Sequence, residues 1–154
     1  MSMPDAVHAF LQSRTIAVAG VSRQTNQAAN AVFRKLKKSG YQVYPINPNA
    51  SQVEGVPCYK DLASIPVPVE GVVVATPPAV ASQVVDQAAR RGVRRVWFHR
   101  SFGEGSVSEA AIRACRDQGL ECIVGGCPLM FCEPVDFGHR CMRWWLQRKG
   151  RVPR

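Results

Sequence analysis

Thr15-Ile-Ala-Val-Ala-Gly20 is an apolar run that stops on glycine, and a helix-like stretch begins near Ala28. A strand without polar alternation has to be covered on both faces, which is the condition of a parallel sheet flanked by helices. A strand that ends on glycine and turns into a helix is also how doubly wound folds open. There the first turn holds an anion against the helix N-terminus, where unpaired N–H groups and the helix dipole favour negative charge.

The rest of the chain alternates in the same way. Helix 28–39 carries Ala28, Val32 and Leu36 on one stripe and stops at Gly40; strand 42–46 follows and ends at Asn47-Pro48-Asn49. A short irregular or helical piece leads through Tyr59 to Leu62. Strand 71–75 is cut off by Thr76-Pro77-Pro78, and the helix of about 79–91 turns Val80, Val84, Val85 and Ala88 inward. Strand 94–98, a helix opened by Ser106-Val-Ser-Glu109 with the spacing of a capping box, and strand 121–124 complete the series. Five strands separated by helices of this length predict a Rossmann-like α/β fold. Its sheet is five-stranded and parallel with helices on both faces, over residues 1–132. Residues 133–154 form a basic, aromatic C-terminal extension, expected to be a helix docked on the domain or on a second subunit through Met142, Trp144 and Trp145.

Twenty Lys and Arg against eleven Asp and Glu leave a formal charge of +9, which biases any partner toward an anion. The N-terminal residues lack the basic and apolar segments of a secretory signal, and no apolar run reaches the roughly 18 residues of a membrane span. A cytoplasmic protein is therefore expected, with its six cysteines read as reduced thiols and not as a disulfide framework.

The first turn argues against a nicotinamide dinucleotide. That chemistry wants Gly-x-Gly-x-x-Gly and an acid roughly 20 residues on for the ribose hydroxyls. Here Gly20 stands alone, with Ser22 and Thr25 in place of the other glycines, and Asn47-Pro48-Asn49 stands where the acid belongs. No Gly-Lys-Ser/Thr follows either, so a Walker loop is excluded. Three strand ends remain at the carboxyl edge. Gly20, Val21, Ser22 and Arg23 offer backbone N–H groups, a hydroxyl and a guanidinium for a diphosphate. Asn47, Pro48 and Asn49 offer amides and a rigid ring, and Thr76, Pro77 and Pro78 shape an apolar wall at a helix start.

The series Val18-Ala-Gly-Val-Ser22, Tyr44-Pro-Ile-Asn-Pro48, Val72-Val-Val-Ala-Thr-Pro-Pro78 and Gly126-Cys-Pro128 resembles the coenzyme A-binding domain family. These are small proteins similar to the nucleotide-binding domain of the succinyl-coenzyme A synthetase alpha subunit. The resemblance covers about residues 10–132 and implies coenzyme A as the ligand. It implies that Gly20 to Arg23 line the diphosphate turn, that Asn47, Pro48 and Asn49 lie by the adenosine and its 3′-phosphate, and that Thr76, Pro77 and Pro78 border the ligand's middle. The loop from Ser101 to Gly105 resembles the loop that meets the pantetheine arm. Position 49 is Asn where the family often has Lys, which removes one phosphate charge. The synthetase's phosphohistidine belongs to a second domain not found in these residues, so binding is carried over and ligase activity is not.

Three functions follow as expectations: a module that binds coenzyme A or acyl-coenzyme A, expected to be a homodimer; an enzyme acting on a coenzyme A thioester through Cys127 or His99; and a basic nucleic-acid-binding domain using the tail. Cys127 lies just past a strand at the carboxyl edge, within reach of a ligand thiol, but a buried cysteine filling apolar space is the commoner case. The spacing of Cys127, Cys132, His139 and Cys141 matches no zinc pattern, and no catalytic residue or metal is assigned. Nucleic-acid and membrane contact by the tail are the less favoured readings, because two tryptophans need a large apolar partner.

Overall fold

In the computed structural model, which describes residues 3–100 and 105–153, the elements run in this order. Helix α1 (Asp5–Leu11) leads into strand β1 (Thr15–Ala19), helix α2 (Ala28–Lys38) and strand β2 (Gln42–Ile46). A two-stranded hairpin, β3 (Gln52–Val53) and β4 (Val56–Pro57), precedes β5 (Gly71–Val74) and α3 (Pro78–Arg91). Strand β6 (Arg95–Phe98), helix α4 (Glu109–Asp117), strand β7 (Glu121–Val124) and helix α5 (Phe137–Arg148) finish the chain. The main sheet has five parallel strands in the order β2-β1-β5-β6-β7. This is the Rossmann-like architecture expected from the sequence. The chain winds outward from β1 to β2, then returns to the other side of β1, so the direction of winding reverses between β1 and β5.

Alternation along each strand divides the core between the two faces of the sheet. Ile16, Val18, Val73, Trp97 and Ile123 pack with Val7 and Phe10 of α1, Val32, Phe33 and Leu36 of α2, and Leu146 of α5. Ala17, Ala19, Val72, Val74, Val96 and Phe98 face the other way, onto Ala81, Val84, Val85 and Ala88 of α3 and Ala111 and Cys115 of α4. Burial of one such side chain contributes about 1.5–3 kcal/mol. The anchor of the first face is Trp97, fully buried, with Phe10 edge-on at 5.3 Å and its indole N–H donated to the Gly125 carbonyl at 2.9 Å.

Several local expectations need correction. Residues 52–57 form a hairpin, because Glu54 and Gly55 both take the positive φ that a tight two-residue turn requires. Helix α2 buries Val32 and Leu36 as expected, together with Ala29, Asn30 and Phe33, whereas Ala28, its first residue, is exposed. The cap of α4 is Ser108, which accepts from the Ala111 N–H; Ser106 is not the capping residue. Cys115 and Cys122 are joined as a disulfide between α4 and β7, against the expectation that all six thiols are free. Helix α5 docks through Leu146, with Met142 against the same core and the Arg143 guanidinium 4.3 Å from the Phe131 ring centre. Trp144 and Trp145 are 48% and 41% exposed, while the apolar positions that meet the core are 142 and 146, one turn apart. Among the described residues no helix is long and apolar enough to cross a membrane.

Helix α1 lay outside the expected elements, yet its Phe10 is as buried as any residue of the sheet. Phe10→Ala is expected to cost about 3–5 kcal/mol, seen as a lower urea midpoint with an unchanged slope.

Candidate functional site

The reversal of winding leaves the carboxyl ends of β1 and β5 side by side with no crossover above them, which is where open α/β sheets take ligands. Glycine is required at this point. Gly20 has φ +103°, and a Cβ there would collide with the Ala75 carbonyl oxygen. Its N–H is donated to the Ile46 carbonyl at 3.0 Å, and the Ala75 N–H to that of Ala19 at 2.9 Å, so the ends of β1, β2 and β5 are tied together.

A cavity of about 470 Å³ opens above them, lined by Gly20 and Ser22 after β1, Asn47, Pro48 and Asn49 after β2, and Thr76 and Pro77 after β5. The sequence-derived strand ends thus share one wall. Val80, Gln83, Val84 and Gln87 of α3 and Lys60 close it. Among the described residues Lys60 is the one charged side chain in that lining, and no described carboxylate faces it there. A somewhat larger hollow of about 520 Å³ lies among Ser13, Arg14, Tyr41 and Glu70, at the amino edge of the sheet, away from every strand-end turn.

Two asparagines hold the rim. Asn30 is fully buried on α2; its Oδ1 accepts from the Ser22 N–H at 2.9 Å, and its Nδ2 donates to the Ser22 carbonyl at 2.7 Å and to Glu54 Oε1 at 2.8 Å. Arg34 completes the bracket, donating to Glu54 at 2.6 Å and to the Thr25 carbonyl at 2.9 Å. Asn47 Nδ2 donates to the Val21 carbonyl at 2.9 Å, while its Oδ1 accepts from the Asn49 N–H at 2.8 Å. The Ser22 N–H is therefore already engaged. Its hydroxyl accepts from the Gln24 N–H at 3.0 Å and keeps its own proton to donate.

The other expected residues are placed differently. Val21 is core and Arg23 is exposed; neither lines the cavity. Pro78 is the first residue of α3, behind Pro77. Ser101 lies outside the described residues. Gly105 is packed tightly on the end of β6, where a Cβ would strike the His99 carbonyl. Next to it Ser106 donates from its hydroxyl to the Thr76 carbonyl at 2.5 Å, tying the β6–α4 loop to the end of β5. Cys127 is buried in the core cluster on the α1, α2 and α5 face, and burial pushes its thiol up to about 12. A thiol so reluctant to ionise is a poor nucleophile. His99 is buried too, and desolvation brings its imidazole down to about 4.

Sequence reasoning missed Lys60, Gln83, Gln87 and the Asn30–Glu54–Arg34 bracket. Asn30 carried a legible signal, a polar residue beside the apolar stripe of a helix. Gln83 and Gln87 share a helix face at a separation of four. Lys60 carried none, because only the hairpin and the turn after it bring position 60 to the edge.

A family model described as a CoA binding domain matches residues 14–133. The alpha subunit of acetate–CoA ligase [ADP-forming] II of Pyrococcus furiosus is 33% identical over 97 residues, 62% of this chain and 21% of that protein. The uncharacterized protein YneT of Bacillus subtilis is 24% identical over 116 residues, 75% of this chain and 83% of YneT. Among solved structures, a hypothetical protein from Pyrococcus horikoshii OT3 superposes with a TM-score of 0.74 at 27% identity, covering 83% of this chain and 92% of the other. The chain spans only 12% to 28% of the length of the acetate–CoA ligases it matches.

Removing the Asn30 bracket leaves a buried N–H without an acceptor, so Asn30→Ala is expected to cost about 1–3 kcal/mol and Asn30→Asp more, because it sets a carboxylate against Glu54; urea unfolding reads both. His99 supplies a pH signature. The folded state holds it neutral near pKa 4 while the unfolded chain protonates near 6.5. Its share of stability is complete above pH 6.5 and lost as pH falls toward 4, by about 3 kcal/mol at the lower limit. A His99→Gln variant is expected to lack that slope between pH 6.5 and 5.

Proposed function

This chain belongs to the CoA binding domain family, and from that premise we propose that it binds coenzyme A or an acyl derivative in the carboxyl-edge cavity without transforming it. The observation that carries this reading is the convergence of the three strand-end turns on one cavity whose single charge, among the described residues, is positive. The pyrophosphate goes to the turn at Gly20 and Ser22, where the missing Cβ lets an anion approach the backbone and the Ser22 hydroxyl has a proton to donate. Arg23, exposed at the mouth of that turn, closes over the ligand from solvent. The adenosine lies along Asn47, Pro48 and Asn49, with the Pro48 ring offering a flat apolar surface. Thr76, Pro77 and Val80 flank the middle of the ligand, and the pantetheine arm runs toward Gly105.

Lys60 answers the lost charge at position 49. A phosphate on the adenosine ribose, at the end of β2, lies at the same side of the cavity as Asn49 and Lys60, and the ammonium there replaces the cation that Asn49 does not supply. The diphosphate at the other end is served by the Ser22 hydroxyl and by Arg23 from solvent, since the N–H groups of Gly20 and Ser22 are already bonded. Catalysis has no comparable support. The buried thiol of Cys127 and the neutral imidazole of His99 are both kept from the chemistry a thioester enzyme would ask of them.

Thermal shifts with coenzyme A, dephospho-coenzyme A, NADH and ATP test the proposal. Coenzyme A at about 100 times its dissociation constant is expected to add about 2.7 kcal/mol of stability, and NADH and ATP little; a flat response to every adenylated thiol rejects the reading. Lys60→Ala is expected to weaken coenzyme A about tenfold, as loss of one charged contact worth about 1.4 kcal/mol requires. Its affinity for dephospho-coenzyme A is expected to stay the same.

A further inference from the structure

Strand β7 is an open edge of the main sheet, and we infer that it is the seam of a homodimer. In it β7 pairs antiparallel with β7 of a second copy, and α4 packs on its symmetry mate. The two edges of the sheet differ. On β2 the outward position 45 is a proline without an N–H, and its carbonyl accepts from the Tyr59 N–H at 3.0 Å. The next outward N–H, that of Asn47, is donated to the Tyr59 carbonyl at 2.9 Å, so the chain closes this edge on itself. On β7 the N–H groups of Glu121 and Gly125 are donated to the Arg94 and Phe98 carbonyls on the β6 side. The backbone groups of Cys122 and Val124 therefore point the other way. Among the described residues they have no partner, and neither position carries the proline or lysine that blunts an edge.

Beside that edge lies a groove of about 410 Å³, lined by Val124 and by Glu109, Ile112 and Arg116 of α4. Helix α3 packs against the other side of α4. Glu109, Ile112 and Arg116 fall on one stripe at spacings of three and four, while Arg113 and Asp117 line the groove further from the sheet. None of these charged groups has an ion-pair partner among the described residues. A stripe that runs acid, apolar, base complements a second copy of itself only when the two lie antiparallel.

The backbone pairing leads to the same register by a separate route. A two-fold axis through Ile123 and normal to the sheet lets Cys122 exchange N–H and C=O bonds with Val124 of the second copy. The Cys115–Cys122 disulfide sets position 115 of α4 level with that strand residue. One strand residue further on is about 3.3 Å, equal to about two residues back along α4, so the axis passes α4 between positions 112 and 113. Glu109 then lies opposite Arg116 of the second copy, and the two Ile112 side chains meet near the axis. Strands about 4.8 Å apart bring the two α4 helices, each seated over β6 and β7, to the roughly 10 Å of packed helices. Charge and backbone thus select one occupant, a second copy of this chain.

Light scattering and sedimentation on the full chain over the micromolar range test the inference, with hydrogen exchange read at Cys122 and Val124. The wild type is expected at twice the chain mass, its amides at 122 and 124 protected only at concentrations where the dimer forms. Glu109→Arg sets like charges across the seam at both symmetry-related positions and is expected to weaken association about tenfold, with unchanged far-UV circular dichroism. Adding Arg116→Glu exchanges the partners and is expected to restore it. A wild type that stays monomeric throughout the range overturns the inference. So does a dimer whose affinity Glu109→Arg leaves unchanged, a double variant as weak as the single one, or a dimer in which the amides at 122 and 124 exchange freely.

Discussion

The close approach of β1 and β5 at their carboxyl ends is the contact on which the rest of the structure depends. It leaves no room for a Cβ at Gly20 beneath the Ala75 carbonyl, and it occurs where the sheet's winding reverses. Because no crossover passes over that point, the turns after β1, β2 and β5 rise around a space instead of packing against a helix. The cavity is a consequence of topology, and its polarity follows from which residues the three turns carry. Ser22, Asn47, Asn49 and Thr76 line it, the two asparagines standing at the end of β2, where a dinucleotide fold of the nicotinamide kind would place an acid.

Buried amide chemistry then makes the rim rigid. Asn30 spends both ends of its carboxamide on Ser22 and Glu54, and Asn47 spans from the turn after β2 to the turn after β1. Each such bond is worth about 1 kcal/mol net, but the larger effect is positional. The Gly20–Thr25 loop is held by α2 and by the β3–β4 hairpin together, so the small hairpin, which adds nothing to the main sheet, helps fix the turn proposed to receive a pyrophosphate. Lys60 follows directly after that hairpin and enters the cavity from it.

Elements governed by short-range pattern were legible. The strands beginning near 15, 42, 71, 94 and 121, the stop at Gly40, and the carboxyl-edge triplets needed only apolar runs, glycine and proline. Faces and partners were not. That α2 buries Ala29 and Phe33 beside the expected Val32 and Leu36, and leaves Ala28 exposed, is decided by what packs against it. Helix α5 was expected to dock on the domain or on a second subunit through Met142, Trp144 and Trp145, and Met142 and Leu146 occupy the positions that meet the core of this chain. Helix α1 was not among the expected elements, since about two turns of helix announce little until Trp97 gives Phe10 a place to pack. Ser106 reads as a cap in the sequence and acts as a tie between two loops in the structure.

The sequence by itself determined a parallel sheet between helices and the strand ends from which a ligand site could be built, because strand periodicity and backbone stops are local properties of the chain. Only the tertiary structure decided which residues share a wall. It brought Lys60 to the cavity, withdrew Val21 and Cys127 into the core, and turned Trp144 and Trp145 outward. Those outcomes depend on contacts between segments far apart in the chain, and packing settles them by volume and register, which no local pattern encodes.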